Sequence, residues 1–399
     1  MFQIIEKKLL IKFPHRRNLH VLSCQIPNHL DRQKLVYHLA EPEKNWKVIR
    51  SILDLIIEGQ GNLKKINLIF FPESVLPLKF LPETLEILSQ VRLNTIVTIG
   101  LGPITLGDYK KLLLQFGKDN QEALASVIDD LDSGDIETLP VNCCATIVKE
   151  DDGGQRVFFE AKSHPFVGEE TLDSDHYLYR GKIFPFFRCQ PSCFNFMTLI
   201  CLDYAYRDIY QSNISVIIEK ANQLFFETRQ KLDLLAIIEC NPKPDHAAFG
   251  DVARGFYGEY LARSPGVADT VTVFCNTSED TVSPDHVPDR SYGHSSVLIH
   301  KNHKLKPARM PEYSIDDFDG RPLGRLRFNA TTQLHYFSLQ FFHELDPRST
   351  RTPLKVHAIF RPEQDGWSRI NSDELANDTA NVNKPFRGKD SAKIAHIRT

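Results

Sequence analysis

Glu73 closes the run Phe70-Phe71-Pro72, Lys162 follows Phe158-Phe159-Glu160-Ala161, and Cys201 follows Met197-Thr198-Leu199-Ile200. Each thus ends a short apolar stretch, and ligands of open α/β sheets bind outside the carboxyl ends of strands. A carboxylate held there is partly desolvated and suited to act as a base. A lysine ending a strand can hold an oxyanion. A cysteine at a strand-to-turn junction can be an exposed nucleophile, as the serine of a nucleophile elbow is, and nearby cations lower its pKa. Taken singly, each has a plainer reading: a solvated turn glutamate, a surface lysine and a buried thiol. Only their combination points to chemistry.

Such residues need strands and helices to hold them, and the chain supplies both. Short apolar runs predict strands at residues 20–26, 66–71, 95–101, 142–149, 156–160, 194–202, 234–240, 270–276, 295–300 and 333–342. Residues 151–154 read as a hairpin turn. Helical spacing of apolar residues predicts helices at 46–57, 81–91, 214–226 and 247–262. Residues 109–132 are also helical in pattern and turn acidic towards their end. The alternation of strand and helix excludes an all-helical protein and favours layered α/β architecture.

Composition sets outer limits. With 48 basic and 51 acidic side chains the net charge is −3, which argues against a dedicated nucleic-acid binder. No apolar run approaches the roughly 20 residues of a spanning helix. The N-terminal residues lack the basic-then-apolar order of a signal peptide. Eight cysteines, two of them adjacent at Cys143 and Cys144, do not form a disulfide framework, so a cytoplasmic protein with reduced thiols is expected. Cys189 and Cys193 lie four apart, but there is no CxxC pair and no closely spaced histidine pair, so no zinc site is expected. Asp245-His246 and Asp285-His286 read as solvated turns, His164 as a structural histidine, and Phe184, Phe186 and Phe187 as core or dimer packing. From residue 365 the chain becomes polar and then basic, and a flexible or partner-bound tail is expected.

The order Glu73, Lys162, Cys201, with Phe71-Pro72-Glu73, Lys162-Ser163-His164-Pro165-Phe166 and Leu199-Ile200-Cys201-Leu202-Asp203 around them, resembles the nitrilase, or carbon–nitrogen hydrolase, superfamily. The spacing of 39 residues from Lys162 to Cys201 is similar to that family's. So are the opening strand around Gln25, Asn241-Pro242, Asn276 and the segment 293–296. The likeness spans roughly residues 20–342. It implies an α/β fold of the four-layer α-β-β-α sandwich type in residues 1–345, with a helical insertion at about 103–140 and a C-terminal extension over 346–399. It implies a second active-site glutamate after the lysine, at Glu169 or Glu170. Two departures stand out: Leu202 follows the cysteine where an aromatic residue is common, and the arginine usual after the elbow is displaced or represented by Arg207. The insertion could narrow or cover the pocket.

The chemistry implied is hydrolysis of a non-peptide C–N bond in a small amide, carbamoyl or nitrile substrate. Cys201 is the nucleophile, Glu73 the base, and Lys162 with the backbone N–H after Cys201 the oxyanion site; Glu169 or Glu170 orients Lys162 or the substrate. No metal or organic cofactor is needed. Family members commonly pair through outer helices, so a homo-oligomer, dimer or higher, is implied. The alternative is a module of the same fold that senses a ligand, or serves as an effector in a larger assembly, with little or no turnover.

Overall fold

The computed structural model describes residues 2–13, 18–33, 36–134, 136–165, 178–206, 212–228, 230–244, 264–267, 270–283, 291–300, 314–318, 321–339, 354–364 and 366–370. It is a mixed α/β structure built on two eight-stranded sheets. The first, here the cysteine sheet, runs in the order Gln3–Ile11, Ile183–Pro191, Phe194–Ile200, Leu234–Glu239, Val271–Asn276, Ser296–His300, Arg321–Arg327, Ser314–Phe318. The second, the glutamate–lysine sheet, runs Gln155–Ala161, Cys143–Lys149, Thr95–Gly100, Leu68–Phe70, Leu19–Gln25, Gln333–Leu339, Leu354–Glu363, Gly366–Arg369.

Alternation of side chains along the strands sorts the apolar residues into three main cores. One lies between the sheets, where Val21, Phe70, Ile96, Val148 and Phe158 of the glutamate–lysine sheet meet Phe187, Phe196, Ala236, Val273 and Val297 of the cysteine sheet. A second joins the other side of the glutamate–lysine sheet to the helices Pro42–Glu58, Leu81–Leu88, Leu106–Gln115 and Gly117–Asp132. The third joins the other side of the cysteine sheet to the helix Asn213–Phe225. The stripe Phe184, Phe186, Phe187 is core: the first two face that helix and the third faces the opposite sheet.

The helices begin and end where local chemistry dictates. Pro42 opens the first at a position where no N–H is required, and Gly59, at φ 70°, closes it in the left-handed conformation glycine adopts at no steric cost. Ser212 caps Asn213–Phe225 by accepting from the Ser215 N–H.

Two expectations need correction. The helical stretch at 109–132 is two helices, broken where Phe116 takes φ −111° and ψ 35°. Asn120 then docks the second, donating to the Phe116 and Val157 carbonyls and accepting from the Phe159 N–H. Both helices pack on the face of the sheet that carries Phe159 and Ala161, away from the inter-sheet side. The strand expected at 66–71 is only Leu68–Phe70, because Phe71 and Pro72 already turn towards Thr98 and Gly100. Past residue 345, Leu354–Glu363 and Gly366–Arg369 are added to the edge of the glutamate–lysine sheet. Residues 371–399 lie outside the described residues. Gln3–Ile11 and Ile183–Pro191, not anticipated as strands, pair in parallel.

The helix expected at 247–262, Asp245-His246 and Asp285-His286 lie outside the described residues. Among the described residues no helix is long and apolar enough to cross a membrane, no disulfide joins the eight cysteines, and no group of three or more His, Cys, Asp or Glu is arranged to hold a metal ion.

Candidate active site

Glu73 is aimed by a turn that only glycine at position 100 permits. The Gly100 N–H donates to the Pro72 carbonyl, and the Gly100 carbonyl accepts from Val75 and Leu76. A Cβ on Gly100 would fall 2.4 Å from the Ser74 nitrogen and 2.5 Å from the Glu73 Cα, and Ser74 takes φ 57° to complete the bend. Glu73 is 3% exposed. Its Oε1 accepts from Lys162 Nζ at 2.9 Å and from Asn142 Nδ2 at 2.6 Å, and its Oε2 accepts from the Cys240 N–H at 2.8 Å.

Lys162 lies one residue past Gln155–Ala161. Its N–H donates to the Asn142 carbonyl and its carbonyl accepts from Gly181. Gly181 is pressed so closely onto this strand end that a Cβ would sit 1.9 Å from the Ala161 oxygen. Lys162 is only 1% exposed. It meets Glu73 as a buried ion pair, where attraction between charges is far stronger than in water.

Cys201 sits on the other sheet, at the junction of Phe194–Ile200 and the single helical turn Leu202–Ala205. Its backbone is at φ 47° and ψ −107°, which a residue with a Cβ seldom adopts and which strains the elbow. Its N–H donates to the Ile238 carbonyl of the neighbouring strand. Two residues on, the Cys240 N–H of that same segment grips Glu73, so the end of Leu234–Glu239 links the elbow to the Glu73–Lys162 pair. The thiol packs in a small cluster with Cys144, Ile200 and Ile238. Burial, and then the Glu160 charge, push the Cys144 thiol up. Cys144 is therefore held as an inert thiol beside the cysteine of the elbow.

Asp203, fully buried, ties the lysine loop to the elbow. Its Oδ1 accepts from Ser163 Oγ at 2.7 Å, from the Ser163 N–H at 3.0 Å and from the His164 N–H at 3.0 Å. Its carbonyl accepts from Asn213 Nδ2. His164, whose Nδ1 meets Ser163 Oγ, stacks on Tyr206. It is a structural histidine of this junction.

A second network braces the strand ends around the site. The Asn241 N–H donates to Asn276 Oδ1, and Asn276 Nδ2 donates to the carbonyls of Asn241 and Gly293. Ser295 Oγ accepts from Asn276, and the Ser295 N–H donates to Gln25 Oε1. Gln25, Asn241, Asn276, Gly293 and Ser295, which lie in segments read as family features in the sequence, are thus one hydrogen-bonded girdle.

Glu73 and Lys162 are brought into direct contact, and Cys201 is carried to the same region from the facing sheet. Glu169, Glu170 and Arg207 lie outside the described residues. Leu202 is half-buried, its carbonyl accepting from Tyr206. Sequence reasoning missed Asn142 and Cys240, which act on Glu73 through a carboxamide and a backbone N–H. It also missed the bracing role of Asp203, although the spacing Cys201-Leu202-Asp203 was in view.

No family model matches the chain, and no curated protein does. Among solved structures it is similar to a CN-hydrolase superfamily protein of Xanthomonas campestris that carries an arsenic adduct in its active site. The similarity has a TM-score of 0.41 and 12% identity, and covers 82% of this chain and 91% of that one.

Proposed function

We propose that this chain is a cysteine-dependent hydrolase of a non-peptide C–N bond, built as a four-layer α-β-β-α sandwich of the nitrilase type and working through a thioester. The observation that carries this reading is the buried Glu73–Lys162 pair at 2.9 Å, with Cys201 on a strained elbow at the facing strand end. Cys201 attacks the carbonyl carbon of an amide while Glu73 accepts the thiol proton. The negative oxygen that develops is held by Lys162 and the Leu202 N–H. Collapse of the tetrahedral adduct breaks the C–N bond, and Glu73 passes the proton to the departing amine. Water, deprotonated by Glu73, then attacks the thioester; the acid leaves and the thiol is restored. The dryness of the site strengthens both the ion pair and its hold on charge forming at the carbon. Glu169 or Glu170 orients Lys162 or the substrate, and the protein acts as a homo-oligomer.

Iodoacetamide labelling with peptide mapping tests the nucleophile. Cys201 labels first and fastest among the eight thiols, and Lys162→Ala removes that advantage. Equal, slow labelling of all eight contradicts the assignment and favours a ligand-sensing module.

A further inference from the structure

Glu73 follows the strand Leu68–Phe70, whereas Asn67 precedes it and His20 lies near the start of Leu19–Gln25. Asn67 and His20 therefore mark the opposite end of the glutamate–lysine sheet, where a second group of polar side chains gathers that the mechanism above does not use. Alternation along Leu19–Gln25 puts His20 on the helix side with Leu22 and Cys24. Its Nδ1 meets the Tyr336 hydroxyl at 2.8 Å. The His20 ring lies 5.3 Å from that of His357, which lies 5.0 Å from that of Tyr336. His357 Nε2 meets Ser338 Oγ at 2.9 Å, and Arg369 donates to the His357 carbonyl at 3.0 Å. Arg92 arrives from the loop after Leu81–Leu88. It donates to the Lys64 carbonyl at 3.3 Å, and Tyr336 donates to the Asn62 carbonyl of the same 3-10 turn, Gln60–Lys65, at 3.4 Å. The turn thus gathers Arg92 and Tyr336, close enough for the guanidinium charge to act on the phenol.

We propose that this end of the sheet binds a small tetrahedral oxyanion of the phosphate class, with Arg92 as its charged ligand, Asn67 Nδ2 as its buried donor, and His20, His357 and Ser338 beside them. Two observations select an anion. Arg92 is half-buried, and among the described residues no carboxylate pairs with it. Asn67, 3% exposed, accepts from the His20 N–H through Oδ1 at 3.2 Å. That bond fixes which way the carboxamide faces, and its Nδ2, a donor, has no hydrogen-bond partner among the described residues. A guanidinium and an amide N–H can only donate, so they suit oxygen acceptors and reject cations. Lys64 and Lys65 add positive charge on the same turn, while Glu58, at the end of the adjoining helix, is held by Gln60 Nε2 at 2.7 Å. The donors come from a loop on one side and from strand ends on another, which matches oxygens set tetrahedrally better than the two coplanar oxygens of a carboxylate. An arginine can grip two of those oxygens at once. Binding would tie the loop of Arg92 and the 3-10 turn to the strand ends beneath them.

This inference stands apart from the hydrolase reading and needs no substrate for its test. Full-length protein, in a zwitterionic buffer free of other oxyanions, is titrated with inorganic phosphate by calorimetry. One saturable site with a Kd below about 1 mM is expected. Arg92→Gln should weaken it by about tenfold or more. Asn67→Asp keeps the Oδ1 acceptor for the His20 N–H but replaces the donor with a negative charge, and should abolish binding. Should Asn67→Asp fail to fold, Arg92→Gln decides, since it removes a side chain that makes no ion pair among the described residues. Arg50→Gln, on the exposed face of Pro42–Glu58, should leave binding unchanged. In protein labelled with ¹⁵N at histidine, the His20 and His357 ring signals, assigned with His20→Gln and His357→Gln, should shift with the calorimetric midpoint. Glycerol 3-phosphate distinguishes the source of the anion: binding that Arg92→Gln weakens marks a site for phosphate esters, and binding of inorganic phosphate alone marks a site for the free ion. No saturable binding of either, binding that Arg92→Gln leaves within about twofold, or shifts confined to other histidines overturns the proposal.

Discussion

The two halves of the candidate site are held by different forces. Glu73 and Lys162 come from one sheet and are fixed by polar contacts: three donors on one carboxylate, delivered by turns in which Gly100 and Gly181 allow backbone to approach backbone. Cys201 comes from the other sheet, among Ile200, Ile238 and Cys144, and is fixed by an unfavourable backbone conformation with Asp203 bracing the loop beside it. The first half should respond to changes of charge, the second to changes of backbone freedom.

The largest effect should come from breaking the ion pair. Lys162→Met leaves Glu73 buried without its counter-charge, and removal of one partner of such a pair costs about 3–5 kcal/mol. Urea unfolding should show this loss for Lys162→Met, whereas Cys201→Ala, which breaks no ion pair, should cost less than half as much. Similar costs for the two would erase the contrast.

Next is the turn that aims Glu73. Gly100→Ala forces a Cβ into the Glu73 and Ser74 backbone, and a core clash of this kind costs about 3 kcal/mol. The same method reads it, and a loss under about 1 kcal/mol would mean that the turn yields easily.

A buried carboxylate without such pairing provides the contrast within the cysteine sheet. Asp233 accepts from the Asn195 N–H, and burial pushes its carboxyl up to about 7. The folded state therefore holds this proton more tightly than the unfolded chain, where the group titrates near 4. The resulting stability is full below about pH 4 and is lost as pH rises through 7. Asp233→Asn should raise stability by about 2 kcal/mol at pH 8 and leave it unchanged at pH 4. Thermal unfolding at the two pH values checks the sign; an equal effect at both would show that charge is not the cause.

Much of this organisation was legible because burial writes itself into sequence as apolar runs. Leu234–Glu239, Val271–Asn276 and Phe194–Ile200 are buried throughout, and each was readable as a strand. Glu73, Lys162 and Cys201 stood out because each interrupts such a run. Gln3–Ile11 was hidden by Glu6, Lys7 and Lys8, whose strand is recognisable only once its parallel partner Ile183–Pro191 is in place. Leu354–Glu363 was hidden by a bulge at His357: Leu354 and Val356 face the other sheet while Ala358 and Phe360 face the helices, so simple alternation fails. Cys240 reaches Glu73 through a backbone N–H, which no residue type announces. Asn142 and Glu160 were read as ordinary members of strands, since only the fold reveals what lies opposite them.

The smallest effect isolates the elbow. If strain at Cys201 is real, glycine, which tolerates φ 47°, should be better accepted than alanine, and Cys201→Gly should be more stable than Cys201→Ala by about 1 kcal/mol. The reverse order would remove backbone strain from the account.

The central claim is that the two halves act on one carbon. Intact-mass spectrometry with peptide mapping, after incubation with a panel of amides and nitriles, tests it most directly. The account predicts an acyl mass gain on Cys201 alone, absent in Cys201→Ala and slowed in Glu73→Gln. No gain on Cys201 across the panel, or a gain on other thiols that Cys201→Ala leaves unchanged, would contradict it.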